Sequence, residues 1–302
     1  MKKGFITIAT GNKEYYRLAR NLLRSYHFFC KERLPFTILC DQENEYTEEF
    51  DDVIFYKNSA TNSYLDKLNL GEYILYDETI FIDADCLAFG DLNQLFDYYQ
   101  NADSFSCFGR VLPLDDTTGW FEYDNLGKYK NKVSYVVGLH GGIYYMRKGK
   151  IVKEIFHFAK ALIPDYSKFK FKGKFDTPGD EPLVALSMAL NNCHPIPYRL
   201  EAICCYWEYV DCIKIDIVKP EARIERGTGV DTILAHWGTR YTKELEYQRQ
   251  IELLEILMDD IQEKKHRISK CNKKYDKLIT IQKQKKYILR VINKIKRIVG
   301  LK

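Results

Sequence analysis

Residues 80–89 read Ile80-Phe-Ile-Asp-Ala-Asp-Cys-Leu-Ala-Phe89, an apolar run that ends in two carboxylates. Ile80, Phe81 and Ile82 are too few for a helix and rich in strand formers, which predicts a buried parallel strand. Asp83 and Asp85 follow at positions i and i+2, which on extended chain point to the same side. Two convergent carboxylates at the end of a strand make a hard-oxygen half-site for Mg²⁺ or Mn²⁺, completed by substrate phosphates. In open α/β sheets the carboxyl end of the strands is also where ligands sit. The bland alternative is a solvated turn after a strand, so the rest of the chain has to decide.

Upstream, residues 4–10 form a first strand that turns at Gly11-Asn12, and residues 14–29 carry apolar positions at helical spacing. Residues 35–40 and 53–56 predict two more strands, and residues 64–77 a helix leading into the two aspartates. Downstream, a short helix over 91–100 and a strand over 104–108 precede an irregular loop over 112–132, rich in Asp, Thr, Gly, Lys and Asn. A strand over 142–146 is entered through Gly138-Leu-His-Gly-Gly142, and a helix follows over 150–162. Gly179-Asp-Glu-Pro182 caps a helix over 183–190, a late strand ends at His236, and a long helix covers 243–263. Strand–helix alternation of this kind predicts an α/β fold with a mainly parallel sheet flanked by helices.

The chain has 302 residues, 46% hydrophobic and 14% aromatic, which is the composition of an ordered globular protein with a large core. The apolar run after Met1-Lys2-Lys3 is only about six residues, short of the roughly 7–15 of a secretory leader, and no stretch approaches the ~20 of a membrane span. The nine cysteines form no paired zinc-type clusters and predict reduced thiols in the cytoplasm. Charge is divided unevenly. Residues 261–302 hold fifteen Lys/Arg against Glu263 and Asp276, a local +13, whereas the preceding body carries −9. We therefore expect a body over 1–243 and a C-terminal helical region over 244–302, basic from 264 onward.

The order of these pieces resembles the GT-A-type glycosyltransferases, most of all family 8, the retaining group that includes bacterial lipopolysaccharide galactosyl- and glucosyltransferases and glycogenin. The most specific block is Lys67-Leu-Asn-Leu-Gly-Glu-Tyr-Ile74 followed by Ile80-Phe-Ile-Asp-Ala-Asp85. The resemblance implies a GT-A, Rossmann-like sheet and a metal-dependent hexosyltransferase using a UDP-sugar. It implies Asp83, Asp85 and His236 as metal ligands for Mn²⁺ or Mg²⁺, with Asp83 also near donor hydroxyls. It places Thr10, Gly11, Asn12 and Tyr16 at the uridine, and Lys67 at the diphosphate and donor sugar. Asp180 and Glu181 fall at the donor sugar from a helix start, and His140, Gly142, Gly238 and Arg240 near donor or phosphate. Three departures stand out. His140-Gly141-Gly142 replaces the family's Asn-Ala-Gly. His236-Trp-Gly-Thr-Arg240 is one residue short of His-x-x-Gly-x-x-Lys, leaving Arg240 or Lys243 as the phosphate cation. Glu181 stands where a Gln near the anomeric carbon is common.

Such chemistry needs the leaving diphosphate neutralised, which a metal held by two carboxylates and an imidazole does, with Lys67 adding fixed charge. Taken singly, His236 reads as a core or surface histidine, Asp180 and Glu181 as helix-start stabilisation, Lys67 as a solvated lysine, and Gly141-Gly142 as a bend. From Ile288 on, Val291, Ile292, Ile295, Ile298 and Val299 form an apolar stripe among Lys286, Arg290, Lys294, Lys296 and Arg297. That pattern predicts a basic amphipathic helix on an anionic membrane, hence a peripheral protein of the inner membrane face with a lipid-linked glycan acceptor. A coiled-coil or packing helix is the competing reading. No segment of the body resembles a nucleic-acid module. Two rival functions remain: a sugar-phosphate nucleotidyltransferase, for which Thr10-Gly-Asn-Lys13 is a poor loop, and a non-catalytic scaffold.

Overall fold

A computed structural model describes the chain except residues 57–62, 117, 172–177, 227–228, 260–261 and 299–302, and except the side chains of 63, 286, 289, 290 and 293–298. The chain opens with β1 (Lys3–Ala9), α1 (Lys13–Phe29), β2 (Phe36–Cys40) and β3 (Asp52–Phe55), and a 3₁₀ segment over Ser63–Glu72 leads into β4 (Glu78–Ile82). β5 (Cys86–Ala88), α2 (Leu95–Tyr98), β6 (Phe105–Ser106), β7 (Phe108–Leu112), β8 (Val136–Leu139) and β9 (Ile143–Arg147) follow. Then come α3 (Lys150–Ala161), α4 (Asp180–Leu190), β10 (Ile196–Pro197), β11 (Ile203–Cys205) and α5 (Tyr206–Tyr209). β12 (Ile213–Asp216), β13 (Glu221–Ile224), β14 (Val230–Asp231), β15 (Leu234–His236), α6 (Leu245–Met258) and α7 (Lys264–Ile298) complete it.

The central sheet has the order β3-β2-β1-β4-β9-β6. Its first four strands are parallel, whereas β9 runs antiparallel to both β4 and β6. Alternate residues of each strand feed opposite faces. Phe5, Ile80 and Ile82 join a core with α1 and α6, while Ile6 and Phe81 join one with α3 and α4. A strand buried on both faces has no polar alternation, which is why 80–82 read as continuous grease.

Four expectations need adjustment. The segment over 64–77 is 3₁₀ and ends at Glu72; Gly71 is packed so closely on Phe156 that a Cβ would lie 2.9 Å from its ring. Within 112–132 a 3₁₀ segment covers Tyr123–Lys132, bent at Gly127 where φ is +54°. The long helix expected over 243–263 is shorter: α6 spans Leu245–Met258, Glu263 takes a left-handed φ of 70°, and α7 then folds back onto α6. Lys264 Nζ reaches the Leu257 carbonyl at 3.1 Å, satisfying one of the free C=O groups at the end of α6. The tail helix begins at Lys264, where the basic region starts, but its first half is packed and not free: Cys271 and Tyr275 are buried, and Ile268 and Ile279 pack on the same core as α1 and α6. Of the expected stripe, Ile288, Val291 and Ile292 are exposed; Val299 and the side chains of Lys286, Arg290, Lys294, Ile295, Lys296, Arg297 and Ile298 lie outside the described residues. Among the described residues, no helix is long and apolar enough to cross a membrane.

Candidate active site

The two aspartates leave β4 into a tight turn. Asp83 N–H donates to the Gly142 carbonyl at 2.9 Å, and Cys86 N–H donates to the Asp83 carbonyl at 3.1 Å. β5 then pairs antiparallel with β15, with Cys86 opposite His236, and Trp237 N–H donates to the Asp85 carbonyl at 3.0 Å. That register delivers the imidazole. His236 Nε2 lies 3.1 Å from Asp85 Oδ1 and 3.7 Å from Asp83 Oδ2. Thr239 Oγ1 donates to Asp85 Oδ2 at 3.1 Å, fixing the outer oxygen. Lys67, from the 3₁₀ segment, sits between two acids: its Nζ is 2.9 Å from Asp83 Oδ2 and 3.2 Å from Asp180 Oδ2, and it donates to the Gly141 carbonyl at 3.2 Å. Asp180 also accepts from the Tyr144 hydroxyl at 3.3 Å, and Glu181 Oε1 accepts from Gly141 N–H at 2.7 Å.

Burial and crowding set the charges. Although burial disfavours its ammonium, Asp180 and Asp83 hold Lys67 well above the ordinary lysine range. Burial raises the Asp83 carboxyl, with Lys67 pulling it down and Asp85 pushing it up. Asp85 feels the same burial, yet the ion pair with His236 brings it below the usual carboxylate range. His236 is correspondingly held above its usual range, its burial outweighed by Asp85 and Asp83. Glu181 is pushed up to about 7 by burial and by Asp180. Burial and the neighbouring His236 and Lys67 depress His140 to about 3, so it is a neutral imidazole. Four carboxyl groups against one lysine and one imidazole make a site that gains from a further cation.

Asp83 and Asp85 offer hard oxygens and His236 a nitrogen, ligand types that a divalent ion takes, and that nitrogen stands 3.1 Å from Asp85 Oδ1 and 3.7 Å from Asp83 Oδ2. Among the described residues, Asp85, Cys86 and His236 bring their ligand atoms within 4.8 Å of one another, and Asp83 stands outside that grouping.

These groups face a cleft of ≈ 430 Å³, which Thr10, Lys67, Asp83, Asp85, Asp180, Glu181, His236, Gly238 and Arg240 all line. The other expected residues lie around it. Tyr16 is fully buried with its hydroxyl on Asp41, and Tyr15 lines the cleft instead. Gly11 N–H donates to Asp41 Oδ2 at 3.0 Å, and Asn12 caps α1 through Glu14 N–H. His140 lies behind His236, with His236 Nδ1 3.5 Å from its Nε2. A Cβ on Gly142 would fall 2.6 Å from His236 Nδ1 and 2.7 Å from His140 Cε1, and one on Gly141 would fall 2.4 Å from Glu181. The two glycines make room for protein side chains. Lys243 is exposed on a 3₁₀ turn over Tyr241–Lys243.

No protein-family model and no curated protein sequence matches the chain. Solved structures do. The galactosyltransferase LgtC, in complex with donor and acceptor sugar analogues, superposes with a TM-score of 0.55 over 87% of this chain and 99% of its own, at 13% identity. An active-site Gln-to-Glu mutant of LgtC matches equally well, with the same score, coverage and identity. The fold is that of the GT-A glycosyltransferases.

In this GT-A fold several cleft residues carry no sequence signal of their own. Tyr15, Tyr64, Trp207 and Tyr241 line the cleft but are four among the 43 Phe, Trp and Tyr side chains of the chain. Thr239 lies inside the quoted His236–Arg240 stretch, and only its bond to Asp85 distinguishes it. Asp66 receives the buried Thr10 hydroxyl at 2.5 Å, a partner 56 residues away. Cys205 meets His140 Nε2 at 2.9 Å, and spacing alone could not have joined residues so far apart in the chain.

Proposed function

We propose that the chain is a metal-dependent glycosyltransferase that moves a hexose from a nucleotide-sugar, UDP-Glc or UDP-Gal, to a glycan acceptor with retention of configuration. The observation that carries the reading is the meeting of Asp83, Asp85, His236 and Lys67 at one edge of a parallel sheet, inside a cleft large enough for a nucleotide-sugar. The fold match to a galactosyltransferase holding donor and acceptor analogues supports it.

A bound Mn²⁺ or Mg²⁺ supplies Lewis-acid neutralisation of the leaving diphosphate. Asp83, Asp85 and His236 are the residues that would hold that ion. Lys67 and Arg240 line the cleft as fixed positive charge for the phosphates, and Lys67 is pre-positioned by Asp83 and Asp180 so that it costs no reorganisation when charge develops. Thr10 and Tyr15 line the end of the cleft assigned to the nucleoside, and Asp180 and Glu181 the end assigned to the donor hexose. In a retaining transfer the leaving phosphate oxygen takes the acceptor proton on the same face, so no separate protein base is required.

The acceptor is read as lipid-linked, a lipopolysaccharide or capsule precursor at the cytoplasmic face of the membrane. Exposed Tyr287, Ile288, Val291 and Ile292 on a lysine-rich α7 support attachment to an anionic surface. The test is Mn²⁺-dependent hydrolysis of UDP-Glc, UDP-Gal, UDP-GlcNAc and UDP-GalNAc by the purified chain. Turnover of one hexose donor that chelation abolishes is expected; no turnover of any donor with any divalent ion would leave the scaffold reading standing.

A further inference from the structure

His236 has two ring nitrogens, and the transferase reading uses only one. Nε2 faces Asp85 and Asp83, while Nδ1 faces His140 Nε2 at 3.5 Å, and His140 Nε2 is in turn 2.9 Å from Cys205 Sγ. Strand register makes the arrangement. β11 pairs with β15 so that Cys205 stands opposite His236, and the turn into β9 brings His140 against both. His140 stands where the resembled family has Asn, so this cluster belongs to this chain.

We propose that His140, Cys205 and His236 form a second cation site, for a soft divalent ion of the Zn²⁺ class, bound through His236 Nδ1 and exclusive with the ion at the aspartates. Imidazole nitrogen and thiolate sulfur are both zinc ligands, whereas Mg²⁺ and Mn²⁺ prefer the oxygens of the other site. Bonds of about 2.3 Å to sulfur and 2.0–2.1 Å to nitrogen put tetrahedral ligand atoms about 3.3–3.6 Å apart. The nitrogen pair already stands at 3.5 Å, and Cys205 has to withdraw from His140 by about 0.6 Å to match.

Protons settle the exclusivity. A neutral imidazole carries one N–H, so an ion on Nδ1 leaves the proton on Nε2, where it donates to Asp85 Oδ1 across 3.1 Å. This is the carboxylate–histidine–zinc arrangement that orients metal-ligating histidines. In that state His236 has no lone pair for the ion at Asp83 and Asp85. Binding releases the Nδ1 proton of the His236 imidazolium and the Cys205 thiol proton to solvent and moves the His140 proton from Nε2 to Nδ1, giving up the 3.2 Å bond from Gly142 N–H. The Tyr198 hydroxyl is buried without a hydrogen-bond partner and its ring packs on His140 at 5.8 Å, which leaves a donor at hand for a thiolate beside it.

The experiment titrates the metal-free full chain with Co²⁺ and then Zn²⁺. One equivalent of Co²⁺ should give a near-ultraviolet thiolate-to-cobalt charge-transfer band that Zn²⁺ bleaches. Cys205→Ser and Cys205→Ala, checked for an unchanged melting temperature, should lack the band. Its absence from the native chain overturns the proposal, and so does its persistence in both variants, which would assign the thiolate to Cys86 beside Asp85. The exclusivity rests on the transferase reading. Zn²⁺ should inhibit Mn²⁺-dependent donor hydrolysis at least tenfold more strongly in the native chain than in Cys205→Ser. Equal inhibition refutes the sharing of His236, while a chain with the band and no hydrolysis refutes the transferase reading and leaves the soft site in place.

Discussion

Asp85 carries most of the site's geometry, because it takes both His236 and Thr239. Asp85→Asn removes the charge and keeps the shape. The expected outcome is loss of transfer by more than the 10–100-fold that losing a hydrogen-bond partner of a ligand costs, with a folded protein by circular dichroism. Native activity of the variant at low Mn²⁺ would remove Asp85 from the metal site. Glu181 yields a pH prediction. Its folded carboxyl is pushed up to about 7 from an ordinary 4.5 by burial and Asp180. Between those values the folded state holds a proton that the unfolded state has released, so its contribution to stability is complete below pH 4.5 and lost as pH rises through 7. Glu181→Gln keeps an acceptor for Gly141 N–H and cannot ionise. The metal-free variant should melt several degrees higher than the native protein at pH 8 and nearly with it at pH 5. A shift equal at both values would mean that Glu181 is not the group that titrates.

At the scale of elements, α7 is half structural and half free. Its first turns bury Cys271 and Tyr275 against α6, and Arg249 bonds Asn272 at 2.8 Å while Lys274 bonds Glu252 at 2.5 Å. Beyond Lys283 the side chains that are described turn outward. Removing residues 264–302 therefore uncovers α6, and a loss of about 2–4 kcal/mol is expected from two buried side chains. Removing only 285–302 should leave the melting temperature unchanged. Both truncations should abolish attachment to vesicles of anionic lipid, and attachment of the full chain should weaken with salt, because screening acts beyond about 8 Å at physiological ionic strength. Indifference of the full chain to such vesicles at low salt would make α7 a packing helix along its whole length.

For the molecule as a whole, the metal is expected to couple nucleotide to protein. UDP with Mn²⁺ should raise the melting temperature far more than UDP alone, since binding at 100 times the dissociation constant stabilises the native state by about 2.7 kcal/mol. Equal shifts with and without Mn²⁺ would show a nucleotide site independent of Asp83 and Asp85. The strands at 3–9, 36–40, 52–55 and 78–82 and the aspartates after the last of them were legible in the chain, because a strand buried on both faces and a carboxylate pair at its end are local patterns. So was the division of charge between body and tail. The antiparallel return of β9 was not legible. It depends on 60 residues between Ile82 and Ile143 closing on one register, and it is this register that sets Gly142 and His140 beside Asp83 and His236. Nor could the chain reveal that Lys67 is shared by Asp83 and Asp180, or that Cys205 and Cys86 flank His236. Local periodicity determines which segments are strands and helices. Which side chains meet is decided by pairing between distant strands, whose energy no single segment contains.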